Sequence, residues 1–243
     1  MKVKKLKNEL IKQKENKTKG NIYHFSQINF AFNSNKIEGS KISEDETIKI
    51  FETNSYKENS DDEIEIQNHF KLFDYMLDNL DKSLTKEMII EMNVILKKNT
   101  SDENKGGFKK HNNTIGVINE IKTTDRNQVE ESIDSLLNKY NSLDKITLED
   151  IIEFHYNFEI IHPFEDGNGR VGRMIMFKEC LRNNIMPMII LDSDKHFYLR
   201  GLNQYKNDKL FLIDTIKNEQ DIYEKIINDL YGIDNNSIKK RIS

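Results

Sequence analysis

The sequence predicts an all-α bundle that carries one small β-hairpin. Three observations point there. Two prolines and ten glycines in 243 residues leave few places where a helix must break. Apolar residues recur at three- and four-residue spacing through most of the chain. Several of these runs open on capping residues, among them Ser43 with Glu46, Thr85 and Thr147. The exception is 99–124, where Gly106-Gly107-Phe108-Lys109 and Thr114-Ile115-Gly116-Val117-Ile118 replace the helical period with the signals of a hairpin.

Taken in order, residues 1–20 hold few apolar side chains (Val3, Leu6, Leu10, Ile11) and fit either a marginal helix or a disordered arm. From 22 to 38 the pattern is helical but imperfect, and Gly39 stands where a C-cap glycine would. Ser43 opens a helix with Ile48, Ile50 and Phe51; residues 53–62 are polar and read as a loop. Glu63 to about Leu80 form a strong helix, and Thr85 starts another through Met88, Met92 and Leu96. Residues 127–140 and 147–161 are predicted helices, the second leading into a glycine-rich loop. Beyond the loop, Val171, Met174, Ile175, Phe177 and Leu181 mark a buried helix that ends at Asn183 and Asn184. Phe197 to Leu202 open another, 209–231 is amphipathic helix, and the last dozen residues read as a tail. No internal repeat is present.

Composition narrows the function. An apolar content of 36% supports a core, and 32% is charged. The net charge of −4 argues against a nucleic-acid partner, although residues 1–20 carry eight lysines against two glutamates. That lysine-rich end reads as a solvated face. Cys180 is the single cysteine, which excludes a disulfide framework and a cysteine-rich zinc site; it reads as a buried structural thiol. No apolar run reaches the roughly 18 residues a membrane-spanning helix needs. The basic start lacks the apolar core of a signal peptide, so the expected location is cytoplasmic. His155 reads as a packed histidine, and His24, His69, His111 and His196 show no metal-site spacing.

The chemistry concentrates in Ile161-His162-Pro163-Phe164-Glu165-Asp166-Gly167-Asn168-Gly169-Arg170-Val171-Gly172-Arg173. Gly167 and Gly169 allow backbone N–H groups to converge at a helix N-terminus, where an anion is favoured. Arg170 and Arg173 share one helix face, and arginines in a first turn oppose the helix dipole unless an anion compensates them. Asp166 beside this nest is a hard oxygen ligand of the kind magnesium uses when it bridges phosphates. A neutral His162 could take a proton from an attacking hydroxyl. Asp-Gly and Asn-Gly are also hairpin-turn signals, but both flanks here have helical period. The pattern points to transfer of a phosphate-containing group to a hydroxyl.

His162 to Arg173 resemble the signature of the Fic family, His-x-Phe-x-Asp/Glu-Gly-Asn-Gly-Arg-x-x-Arg, without a mismatch. The resemblance covers roughly 30–210. It implies an enzyme that moves AMP from ATP to a protein hydroxyl, with His162 as base and Asp166 holding Mg2+ (or Mn2+). Gly167, Asn168, Gly169 and Arg170 would hold the phosphates and Arg173 the terminal one. Relatives with lysine at the position of Gly169 phosphorylate instead. Tyr198 stands where the family has a tyrosine near the adenine. A flap carrying Phe108, Lys109 and Val117 would dock the target main chain to main chain, although arginine is more usual at the position of Lys109.

Ser34-Asn35-Lys36-Ile37-Glu38-Gly39 resembles the family's inhibitory motif, Ser/Thr-x-x-x-Glu-Gly/Asn. Its place before the core implies the class with an N-terminal inhibitory helix. Ser34, Glu38 and Gly39 would be its working residues, with the Glu38 carboxylate pairing bidentately with Arg173 and occupying the terminal-phosphate position. The expected organisation is an arm and inhibitory helix at 1–60, a catalytic core at 61–210 with its flap near 105–120, and a C-terminal helix and tail at 211–243. The expected activity is self-inhibited protein adenylylation with ATP and Mg2+, on a tyrosine, threonine or serine of a protein target and on the chain itself. Two rivals stand beside it: removal of AMP with Glu38 orienting water, and a nucleotide-binding module without chemistry. Apolar faces outside the core could support a homodimer.

Overall fold

The computed structural model describes residues 1–16, 20–55, 60–115 and 121–242, and only the backbone of 115, 121 and 233–242. The described residues form α1 (Val3–Asn16), α2 (Ile22–Ile37), α3 (Glu44–Thr53), α4 (Asp61–Asp78), α5 (Lys86–Lys97), β1 (Thr114–Ile115), β2 (Ile121–Lys122), α6 (Val129–Asn141), α7 (Leu148–Ile161), α8 (Asn168–Arg182), α9 (Lys195–Gln204) and α10 (Leu210–Ile242). Short 3-10 turns precede α6 and α9. The all-α prediction holds.

Helix starts follow the capping residues. Ser43 with Glu46, Ser60 with Glu63 and Thr147 with Asp150 each form a reciprocal capping box, and Asn21 caps α2 by accepting from His24 N–H. The first segment is a helix and not an arm, because Leu6 and Leu10, four apart, are fully buried. Lys7 and Lys14 pair with Asp81 and Asp78 and hold α1 against the end of α4. The expected tail is corrected: α10 continues to Ile242, since no proline follows Leu210 to stop it.

Helix α2 runs through the interior. Eleven of its 16 residues are buried, so it is surrounded on most sides and does not lie on the surface. Phe30 of α2, Phe73 of α4 and Phe177 of α8 meet with ring centroids 5.3–6.3 Å apart and join three helices at the centre. One core extends from Leu6 and Leu10 in α1 to Ile216 and Ile227 in α10.

The strand positions differ from expectation. β1 pairs antiparallel with β2 in the register Thr114↔Lys122 and Ile115↔Ile121. Gly106 to Lys109 are not a strand. Their backbone is used elsewhere: Gly106 N–H donates to Asn93 Oδ1 (2.8 Å) and Lys109 N–H to Pro163 O (2.8 Å). Val117 and the expected flap tip lie outside the described residues.

Candidate active site

Helix α7 ends at Ile161, and His162 turns the chain with φ 50°, its N–H still bonded to Phe158 O at 2.9 Å. Two residues on, Phe164 is buried and ring-packs against Phe108 at 6.3 Å. Asn168 closes the loop on itself, accepting from Phe164 N–H (2.8 Å) and donating to Phe164 O (2.9 Å). Its side chain is therefore a staple of the loop. Gly167, at φ 86°, takes the left-handed N-cap position of α8, where a β-carbon would also crowd Asn93 and Leu96. No side chain caps α8, so its first N–H groups face the loop without one.

Two arginines project from this turn. Arg170 is buried and donates to Glu65, to Asn35 Oδ1 (3.1 Å) and to both oxygens of Asp166 (3.1 Å each). Lys97, from the end of α5, donates to Glu65 and to Asp166 Oδ2 at 2.5 Å. Arg173, one turn further along α8, reaches α2. Its Nε donates to Ser34 Oγ (3.0 Å), and its Nη2 donates to Ser34 O (2.9 Å) and to Glu38 Oε1 (2.6 Å). The pairing of Glu38 with Arg173 is thus one hydrogen bond and not the expected bidentate fork, and Ser34 takes two further bonds of the guanidinium. A β-carbon on Gly169 would collide with the Glu38 carboxylate and Arg173. Glycine at 169 leaves the space that the Glu38 carboxylate takes beside Arg173. Gly39, at φ 97°, ends α2 immediately after Glu38.

The electrostatics follow from these contacts. Burial pushes the Asp166 carboxyl up, but Arg170 and Lys97 outweigh it and hold it down to about 2. Burial likewise opposes ionisation of Glu38, and the Arg173 charge beside it wins, so its pKa lies below the usual carboxylate value. Burial and then Lys109 lower His162 to about 4, which leaves the imidazole neutral near pH 7. Its Nδ1 lies 3.3 Å from Glu159 O; a carbonyl only accepts, so Nδ1 carries the proton and Nε2 keeps its lone pair.

Other predicted residues fall elsewhere. Tyr198 is buried beneath Arg173, its hydroxyl 2.7 Å from His155 Nε2 and its ring 5.8 Å from the guanidinium. Lys109 is buried, its ammonium bonded to Asn113 Oδ1 (2.9 Å), Thr123 Oγ1 (2.6 Å) and Ile161 O (3.2 Å), so it ties the strand region to α7. Four residues of the site had no place in the sequence reading: Asn35, Glu65, Asn93 and Lys97. Asn93 donates to Asp166 O at 2.9 Å and fixes the backbone of that acid. Their signal was a polar residue at a core-facing position, as Asn93 and Lys97 are in the stripe Ile89, Asn93, Leu96, Lys97.

For a divalent cation, Asp166 is the fitting ligand. Its side chain is 54% exposed, and among the described residues no cluster of three acids, histidines or cysteines could hold a metal unaided. One carboxylate with water and substrate phosphates suits Mg2+, which seldom uses an all-protein cage.

Residues 83–180 match the Fic/DOC family. A protein adenylyltransferase Fic of Nematostella vectensis is 46% identical over 50 residues, 21% of this chain and 12% of that one. A probable protein adenylyltransferase of Aquifex aeolicus is 32% identical over 65 residues, 27% of this chain and 20% of that one. The chain thus spans a fifth or less of the length of these two relatives. Among solved structures, a Fic domain-containing signaling protein of Bacteroides thetaiotaomicron superposes with TM-score 0.77 at 22% identity, over 85% of this chain and 88% of that one. Fic-1 of C. elegans superposes with TM-score 0.72 at 18% identity, over 95% and 71%. Residues 83–180 thus carry the match to the Fic/DOC family, the unbroken signature from His162 to Arg173 lies within them, and the fold is the one seen in the Fic-domain structures.

Proposed function

We propose that this chain is a protein adenylyltransferase that transfers AMP from ATP to a hydroxyl of a protein target, and that Glu38 restrains it. The observation that carries the reading is the meeting, at the open N-terminus of α8, of an uncharged base and two arginines, one of them occupied by Glu38. The names of the Nematostella and Aquifex relatives agree with the activity.

In this reading a hydroxyl oxygen of the target attacks the α-phosphorus of ATP. The new O–P bond forms as the bond to the β-phosphate breaks, diphosphate leaves, and the hydroxyl proton passes to His162 Nε2. Gly167 shapes the turn, the N–H groups from Asn168 to Arg170 and the Arg170 side chain hold the phosphates, and Arg173 takes the terminal one once Glu38 withdraws. Mg2+ bound through Asp166 would neutralise phosphate charge. Tyr198 would support the nucleotide side from beneath Arg173. Phe108, Lys109 and Val117 would border the docked target, which offers a tyrosine, threonine or serine. The chain itself is a second substrate, and a homodimer acting in the cytoplasm completes the proposal. Ser34, Glu38 and Gly39 form the restraint within the N-terminal part, 1–60; 61–210 is the catalytic unit and 211–243 its C-terminal support.

The test is incubation with α-phosphate-labelled ATP, Mg2+ and a cell extract, with gel readout. Label on protein that depends on His162 supports transfer. ATP retained without labelled protein, in wild type and in Glu38→Gly alike, would reduce the chain to a nucleotide-binding module.

A further inference from the structure

We infer that Lys97 is a built-in counter-cation that occupies Asp166 until a divalent metal displaces it. The inference rests on the reading of Asp166 as the metal ligand.

Lys97 reaches Asp166 from inside the protein. Its side chain is 5% exposed, against 54% for Asp166, so a metal arriving from solvent reaches the carboxylate more readily than the ammonium. The ammonium already sits 2.5 Å from Asp166 Oδ2. That oxygen already accepts from Lys97 and, at 3.1 Å, from Arg170 Nη2, so a metal there would add a third cation, and Lys97, the nearer of the two, is the one to yield. Asp166 cannot move away easily. Asn93 holds its carbonyl at 2.9 Å, and Gly167 N–H donates to its Oδ1 at 2.6 Å. Lys97 can yield, because Glu65 is its second carboxylate partner. Glu65 also bonds Arg170, so the ammonium withdraws to a carboxylate that it shares with the guanidinium.

The charge balance gives the exchange a purpose. Lys97, Arg170 and Arg173 are matched by Glu38, Glu65 and Asp166. Among these ion-paired groups three cations face three acids, so Asp166 is compensated without a ligand, while Asp61, Asp62 and Asp102 add negative charge around the cleft. A polar cleft of about 380 Å³ opens beside Lys97 and Asp166 and leaves room for a hydrated ion. Lys97 therefore sets the metal concentration at which the site loads.

The test uses Mn2+ alone, with its free ion read by electron paramagnetic resonance, on the full chain. Lys97→Met should bind Mn2+ about tenfold more tightly than wild type, a change of about 1.4 kcal/mol. Lys105→Met removes one positive charge from the same region without contact to Asp166, and should stay within about twofold. Equal or weaker binding by Lys97→Met, or equal tightening by Lys105→Met, overturns the inference while Asp166→Ala still loses the ion. If Asp166→Ala binds Mn2+ like wild type, the metal-ligand reading itself fails and takes the inference with it. Should Lys97→Met not fold, wild type labelled with 15N-lysine suffices. The Nζ signal missing from Lys97→Arg should shift on addition of Mg2+, and an unmoved signal refutes displacement.

Discussion

Under the proposed restraint, replacing Glu38 with glycine should speed transfer, and the contacts give the size of the effect. One charge-assisted hydrogen bond of 2.6 Å joins Glu38 to Arg173. Bonds of this type contribute about 1.5–3 kcal/mol, and the carboxylate is 37% exposed, so solvent screening favours the lower half of that range. A blocked state favoured by roughly 1.5–2.2 kcal/mol corresponds to about ten- to fortyfold in rate once the block is gone. The substitution should spare the fold. Glu38 is the C-cap of α2 with φ −83°, its N–H bond to Asn35 O is backbone, and Gly39 already terminates the helix. Arg173 keeps both bonds to Ser34 and stays aimed. The assay compares initial rates of label transfer from α-phosphate-labelled ATP for wild type and Glu38→Gly, with thermal melts alongside. A folded variant that labels no faster than wild type refutes the reasoning and leaves Ser34 to Gly39 as an ordinary helix end. If removal of AMP were the native activity, the same variant would lose it.

Further outcomes follow from the same contacts. His162→Ala in the Glu38→Gly background should lower transfer about 10²–10⁴-fold with ATP affinity unchanged, as isothermal titration would show. With His162 near 4, the acid limb of the rate profile should reach its midpoint near pH 4 and not near the ordinary 6.5. Arg173→Ala should weaken ATP about ten- to a hundredfold and Arg170→Lys less. Arg170→Ala should instead lower the melting temperature sharply, because removing one partner of a buried pair costs about 3–5 kcal/mol. Stability should peak near pH 6.5. Burial holds His69 and His155 near 3, with His162 near 4, against an ordinary 6.5, so the unfolded chain binds the extra protons below 6.5 and stability falls with acid. Burial raises Glu159 and Glu219 from 4.5 to about 8, so the folded chain holds protons that the unfolded chain releases, and stability falls from 6.5 toward 8. Calorimetry from pH 5 to 8 should show the maximum, and a monotonic rise would contradict it.

What the sequence made legible was whatever is local along the chain. The loop from His162 to Arg173 could be read because its base, acid, glycines and arginines are consecutive, and the helix they open follows from Val171, Met174 and Phe177. Capping boxes fixed helix starts because they need only four residues. Lys97 and Glu65 were not legible, since their meaning depends on α4 and α5 converging on Asp166 from about 70 and 100 residues away. The end of α10 was missed because periodicity detects a buried face, and Asp234-Asn235-Asn236-Ser237 offers none while remaining free of proline. Ser34 was named from its motif, but its two bonds to Arg173 depend on α2 and α8 meeting across 139 residues of chain.

Those two bonds bear on how any release of Arg173 can happen. Helix α2 is the bracket on which the guanidinium hangs as well as the carrier of its blocking carboxylate. A partner that peeled α2 away would take the arginine's aim with it, along with Phe30 and the centre of the core. Under the proposed restraint, release is therefore small: one rotamer change of a part-exposed glutamate at the helix end, a faster step than the displacement of a helix. A block that re-equilibrates so quickly cannot act as a slow latch. It lowers apparent nucleotide affinity by the fraction of time the position is free, so rising ATP should progressively overcome it with no lag in the progress curve.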